Sequence, residues 1–245
     1  MKKTFTTFVY PYVKTMDDLE LKCSIKSVQK NFKGNPIFVI IGDKPSFTGI
    51  DYIHIVSERK PFRAIDIAHK LQTVINDDRV SNDFVWMYDD VFFINEVDIS
   101  DLKKVYALQD LTGKNLYELN FDSSKKWASM FMATMTKIKA EGKKVINYET
   151  HLPRYLNKKK TQQMIVKYDL FNNKLLFASL YFSNTKDPIF LQPKTDDVKL
   201  GIYMSFSSMD VLEKKIRNKK FLNYSEKAFT DAMRKLIVKL FLQQS

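Results

Sequence analysis

The apolar positions change period several times along the chain, and the changes outline an alternation of strands and helices. Thr4–Tyr12 is rich in β-branched and aromatic residues and reads as a strand. In Asp17–Asn31, Leu19, Cys23, Ile25 and Val28 recur at mixed three- and four-residue spacing, the pattern of an amphipathic helix. Gly34-Asn35-Pro36 interrupts it. Pro36–Gly42, PIFVIIG, is a continuous apolar run suited to a strand covered on both faces. Tyr52–Val56 reads as a further short strand. Arg63–Ile75 predicts a helix with Ile65, Ala68, Leu71 and Ile75 on one side. Asp83–Ile94, DFVWMYDDVFFI, is apolar except for two adjacent carboxylates, Asp89 and Asp90.

This alternation predicts an α/β fold with a mostly parallel central sheet flanked by helices, in a single domain over residues 1–245. Beyond about Ser100 the pattern is less regular. Tyr117–Asn120 and Leu175–Phe182 read as strands and Ser124–Glu141 as a helix. At the end, Phe229, Met233, Leu236, Ile237, Leu240 and Phe241 form a helical stripe, with Ser225 as the expected N-cap. Lys227, Arg234, Lys235 and Lys239 accompany the stripe. A membrane-surface helix has this character, although a helix packed on its own domain is the commoner arrangement. No internal repeat or low-complexity linker is present.

Composition narrows the picture. The chain has 245 residues, 44% of them hydrophobic, which is enough to bury a sizeable core. Cys23 is the only cysteine, so an intrachain disulfide and a cysteine-based zinc site are excluded. With no signal-peptide pattern at the N-terminus and no apolar stretch near the roughly 20 residues needed to span a bilayer, a cytoplasmic location is expected. The formal charge of +12 points to an anionic partner, a membrane surface or a phosphorylated substrate, or simply to a solvated lysine-rich surface. No nucleic-acid-binding pattern is present, and no nucleic acid partner is expected. Phosphate-binding and dinucleotide-binding glycine loops and the nucleophile elbow are also absent, which removes the main support for P-loop, Rossmann dehydrogenase and serine hydrolase chemistry.

Asp89-Asp90 is the most informative pair. Two carboxylates within an apolar run are costly to bury unless a cation or a donor compensates them. Placed where a strand runs into a turn, they suit a hard divalent cation, Mn or Mg, that also grips a diphosphate. A solvated turn between two strands has the same sequence. Arg63, Asp66 and Lys70 fall at helical spacing, so one face presents all three. They suit either a donor diphosphate or a surface ion-pair set. His151 is a candidate acid, base or metal ligand, and Glu149, two residues earlier, points the same way on an extended segment. Arg154 is a second phosphate candidate, and Asp43, after the PIFVIIG strand, a candidate contact to base or ribose.

FVWMYDDVFFINEVDI resembles the aspartate motif of GT-A glycosyltransferases. The nearer resemblance is to the Stealth family of sugar-phosphate transferases. LELKCSIKSVQKNF, Leu19–Phe32, is similar to that family's L-R-x-S-L-R-S-I-x-K-N pattern. IFVIIGDKP, FVWMYDDVFF and YETHLPRYL resemble its later blocks in the same order, and the set covers about two thirds of the chain. Tyr88 departs from the pattern, standing where Stealth proteins have Asn.

The resemblance implies a GT-A-like domain that transfers a sugar or a sugar phosphate from a nucleotide sugar to a glycan acceptor. Residues 1–100 would form the nucleotide-sugar half, and 101–245 the acceptor half with a C-terminal helical element. It further implies metal ligation by Asp89 and Asp90, catalytic roles for His151, Glu149 and Asp90, and donor contacts from Arg63, Asp66, Lys70, Asp43 and Arg154. The contrasting expectation, prompted by Tyr88, is a non-catalytic protein of the same fold that binds a glycan, a phosphorylated ligand or a partner.

Overall fold

The computed structural model describes residues 5–14, 17–118, 126–192, 195–205 and 208–243. Its first elements follow the reading above closely. They are β1 (Phe5–Tyr12), α1 (Leu19–Asn31), β2 (Asn35–Gly42), β3 (Ile53–Val56), α2 (Arg63–Ile75), β4 (Asp83–Trp86) and β5 (Val91–Phe93). Then come α3 (Ile99–Lys103), the short strands β6 (Tyr106–Ala107) and β7 (Gln109–Asp110), α4 (Lys126–Ala140), β8 (Ile146–Asn147) and β9 (Arg154–Asn157). The chain continues through α5 (Lys158–Lys167), α6 (Phe177–Phe182), β10 (Ile189–Phe190), β11 (Lys199–Ile202), α7 (Met209–Ile216), β12 (Phe221–Tyr224) and α8 (Asp231–Phe241).

The main sheet has the order β3-β2-β1-β4-β9. Its first four strands are parallel and β9 is antiparallel to β4. The fold is therefore α/β with a mostly parallel sheet flanked by helices. β1 and β2 lie inside the sheet, and Thr7–Tyr10 and Phe38–Gly42 are buried, as continuous apolar runs require. From β1 the chain moves outward to β2 and β3, then returns past β1 to β4. Two right-handed crossovers in opposite directions put their helices on opposite faces. Accordingly α1 packs with β5 and α8, and α2 with α5 and α6. The reversal of order falls between β1 and β4, where open α/β sheets bind ligands beyond the carboxyl ends of their strands.

A second sheet, β11-β12-β5, is roofed by α7 and α8. Met233, Leu236 and Ile237 of α8 pack into that core, so the C-terminal stripe covers the chain's own sheet rather than a membrane. Its N-cap is Thr230, which accepts from the Met233 amide. Ser225 instead precedes a 3₁₀ turn and makes no capping bond there. No helix among the described residues is long and apolar enough to cross a membrane.

Two other expected strands differ. Leu116–Glu118 forms a single 3₁₀ turn, and the remainder of the expected 117–120 strand lies outside the described residues. Phe177–Phe182 is helical because Phe177–Tyr181 are buried on every side. A short run that is apolar all round carries no period to separate helix from strand. Thr4 and Ser124, the expected first residues of a strand and a helix, lie outside the described residues.

Candidate active site

Asp89 and Asp90 form the turn that follows β4, which ends at Trp86. A row of polar side chains on α1 holds this turn from beneath. Ser24 Oγ donates to the Val91 carbonyl at 2.5 Å, and Ser27 Oγ accepts from the Phe93 amide at 2.9 Å. Asn31 Nδ2 donates to the Phe93 carbonyl at 2.5 Å. Spaced by three and four residues, these side chains share one helix face. They pin the backbone on the far side of the Asp pair.

The partner arrives by register. β9 pairs with β4 from Asp83↔Asn157 to Trp86↔Arg154. Carrying that antiparallel ladder onward brings the residues after β4 alongside those before β9. His151 Nε2 accordingly lies 2.8 and 3.0 Å from the two carboxylate oxygens of Asp90. The His151 ring stacks on Tyr88, with centroids 4.3 Å apart and planes inclined by 19°. The Arg154 guanidinium lies 5.4 Å from the centroid of the same Tyr88 ring. His151 has φ 52°, a left-handed conformation that costs a side-chain-bearing residue some strain. Lys199, a buried side chain on β11, donates to the adjacent Thr150 carbonyl and so restrains this backbone.

Glu149 is fully engaged. Its Oε2 accepts from Arg154 at 3.0 Å, and its Oε1 accepts from the Ser179 amide and hydroxyl at 3.1 and 2.9 Å. This geometry orients Arg154 and ties the loop to α6.

The shifts at Asp89 and Lys199 are large. Burial, then the charges of Asp90 and Glu20, push the Asp89 carboxyl from 3.8 up to about 7. Burial pulls the Lys199 ammonium down to about 8, with the Asp90 charge opposing it.

A cleft of about 1040 Å³ opens over the carboxyl ends of β1 and β4. Asp89 and Tyr88 line it from one side and the first half of α2 from another. Asp66 and Lys70 both line it, but they are bound to each other at 2.6 Å, and Asp66 also accepts from the Lys60 amide at 2.8 Å. The expected ion pair thus exists, buried rather than on the surface. Gly42, at φ 116°, makes room there, because a Cβ would collide with the Tyr12 carbonyl and crowd Lys70. Beyond the Asp66–Lys70 pair, the lining carries Arg59, Lys60, Arg63, Lys126 and Lys174 against Asp89 and Glu226. The excess is cationic. Asp43 is apart from this lining; it is exposed and accepts from the Lys14 amide at 2.7 Å. A smaller pocket of about 130 Å³ adjoins, lined by His151, Arg154, Glu149, Arg63 and Trp127 among others.

The structure thus gathers Asp89, Asp90, His151, Glu149, Arg154 and Arg63 around Tyr88, with the Asp66–Lys70 pair in the adjoining cleft. Sequence reasoning missed Lys199, Glu20 and Trp127. Lys199 left one signal, a charged residue in the otherwise apolar run VKLGI. Among the described residues no three His, Cys, Asp or Glu side chains are grouped as a ligand set. Two adjacent carboxylates, one of them costly to ionise, do suit a hard cation completed by phosphate oxygens and water, the common arrangement for Mg.

No family model matches the sequence, and no curated protein matches it. A solved structure of an active-site mutant of LgtC is similar over 98% of each chain, at 12% identity and a TM-score of 0.48. A likeness this slight bears on no residue or reaction of this chain.

Proposed function

We propose that this protein is a metal-dependent transferase that moves a sugar or a sugar phosphate from a nucleotide sugar to a glycan hydroxyl. The observation that carries this reading is the His151–Asp90 contact at 2.8 Å, at the junction of a large cationic cleft and a small pocket. The large cleft suits the donor, since the excess of lysines and arginines in its lining would offset a diphosphate. Asp89 and Asp90 would hold the divalent cation, which supplies charge stabilisation for the departing phosphate group.

The imidazole is the acceptor's base. An ionised Asp90 only accepts, so Nε2 carries the proton of their hydrogen bond and Nδ1 keeps the lone pair. Nδ1 then takes the hydroxyl proton as the acceptor oxygen bonds to the donor and the nucleoside diphosphate leaves, or the nucleoside monophosphate where a sugar phosphate is transferred. Asp90 fixes the tautomer and favours the imidazolium that results. Tyr88 holds the ring from its face. Glu149, with both oxygens engaged, serves as the positioning group for Arg154.

A thermal-shift series of nucleoside diphosphates and nucleotide sugars, with and without Mn, tests this reading. The expected result is a rise in melting temperature that needs both nucleotide and cation, because a ligand bound only by the native state stabilises it. A flat response to every nucleotide under both conditions would overturn it.

A further inference from the structure

We propose that the small pocket beside His151 receives the acceptor, and that it selects an anionic sugar, carboxylated or phosphorylated. The inference rests on the transferase reading above and deepens it. The two cavities divide the machinery: Asp89 lines only the large one and His151 only the small one, while Tyr88 and Arg63 line both. A group activated by His151 must therefore enter from the small side. At about 130 Å³ that pocket has room for a sugar ring and not for a nucleotide.

Its walls have two characters. Trp127, 43% exposed and stacked on Phe131 at 5.0 Å, presents an apolar surface for the C–H face of a pyranose. Opposite stand two guanidinium groups, Arg63 and Arg154, and a single carboxylate, Glu149. Glu149 is already committed to Arg154 and Ser179, so one cationic charge in the pocket is left over. Arg63 is also the first residue of α2, whose N-terminal end has no side-chain cap, so the helix dipole adds to the same positive potential. A neutral sugar gains nothing from that charge. A carboxylate or phosphate on the ring meets a planar donor fork that matches its oxygens.

The test is calorimetric titration of the full chain with methyl glucuronide, glucose 6-phosphate and methyl glucoside, with uridine diphosphate and Mn titrated in parallel. We expect an anionic sugar to bind about tenfold or more tightly than the neutral one, the scale of one charge-assisted hydrogen bond. The glucuronide and the phosphate arms identify which anion is preferred. Arg154→Gln should abolish the preference and Arg154→Lys keep only a small part of it, since an ammonium lacks the planar fork, with nucleotide binding titrated in parallel as the check on folding. Trp127→Ala should weaken all three sugars alike. Equal binding of all three sugars beside intact nucleotide binding overturns this inference and leaves the cleft reading standing. Absence of sugar binding together with a flat response to every nucleotide in the thermal-shift series overturns the two together.

Discussion

Glu141 and Asp89 are both partly exposed carboxylates, and the protein treats them in opposite ways. Glu141, just beyond α4, accepts from Lys143 at 2.9 Å, Lys167 at 2.8 Å and the Tyr168 hydroxyl at 2.9 Å. Burial works against its charge, but these donors outweigh it and hold the carboxyl down at about 2. Asp89 has no such donors among the described residues; burial first, and then the charges of Asp90 and Glu20, drive it up to about 7. Glu141 fastens α4 to α5. Asp89 lies in the cleft with its charge uncompensated, and such charge concentrates where a ligand is to be met.

The sharpest way to break this contrast is at the partner of Asp90. His151→Ala should lower turnover by on the order of a hundredfold or more, with nucleotide affinity nearly unchanged, because a base acts only in the transition state. Steady-state kinetics beside calorimetry would check it; equal losses in binding and turnover would move the base elsewhere. Next in size is Lys199→Met, which strips the Thr150 carbonyl of a buried donor and removes a charge near Asp90. Turnover should fall roughly tenfold, in proportion to the 1–3 kcal/mol cost of an orphaned buried acceptor. Lys199→Arg should recover part of it, and a variant that loses stability but keeps turnover would show a structural role only.

The two carboxylates themselves should respond to pH with opposite signs. Asp89 has a raised folded value, so the folded protein keeps a proton that the unfolded chain releases above 3.8. Stability therefore declines between about pH 4 and 7, and the full penalty stands above 7. In a metal chelator, Asp89→Asn should gain on the order of 2 kcal/mol at pH 8 and almost nothing at pH 4. Glu141 has a lowered folded value, so its contribution is complete above 4.5 and fades as pH falls through about 2. Glu141→Gln should cost about 1 kcal/mol at pH 7 and little near pH 2. Urea melts across pH would separate the two; parallel slopes would erase the comparison. A cost of the same order, about 1 kcal/mol in the same melts, is expected from Ser27→Ala, which leaves the Phe93 amide without its 2.9 Å acceptor.

The same contrast explains what the sequence made legible. The first six elements follow from apolar period, since each buries one face or both, and α2 was bounded correctly because its stripe is uninterrupted. The Asp pair stood out because charge inside an apolar run is costly. What brings His151 to Asp90 was invisible. β9 reads RYLN, with none of the alternation of a strand, and it pairs only because it lies along the exposed edge of β4. Ser24, Ser27 and Asn31 carried no signal for a similar reason: polar residues that satisfy buried backbone groups have the same periodicity as polar residues that face water. Lys199 escaped because its meaning depends on Thr150, which the chain brings near only through the second sheet.

The antiparallel return of β9 along β4 also has a kinetic side. The residues it joins are some seventy positions apart, and β12 closes onto β5 across an even longer stretch of chain. Closing such loops is entropically uphill until the contacts form, so pairings of this range come late and slowly. The parallel pairings of β2 with β1 and with β3 have much shorter closures to make. On refolding, the β2 amides should gain protection from hydrogen exchange before the His151–Asp90 contact assembles, and the protein should regain its compactness before its ability to turn over substrate.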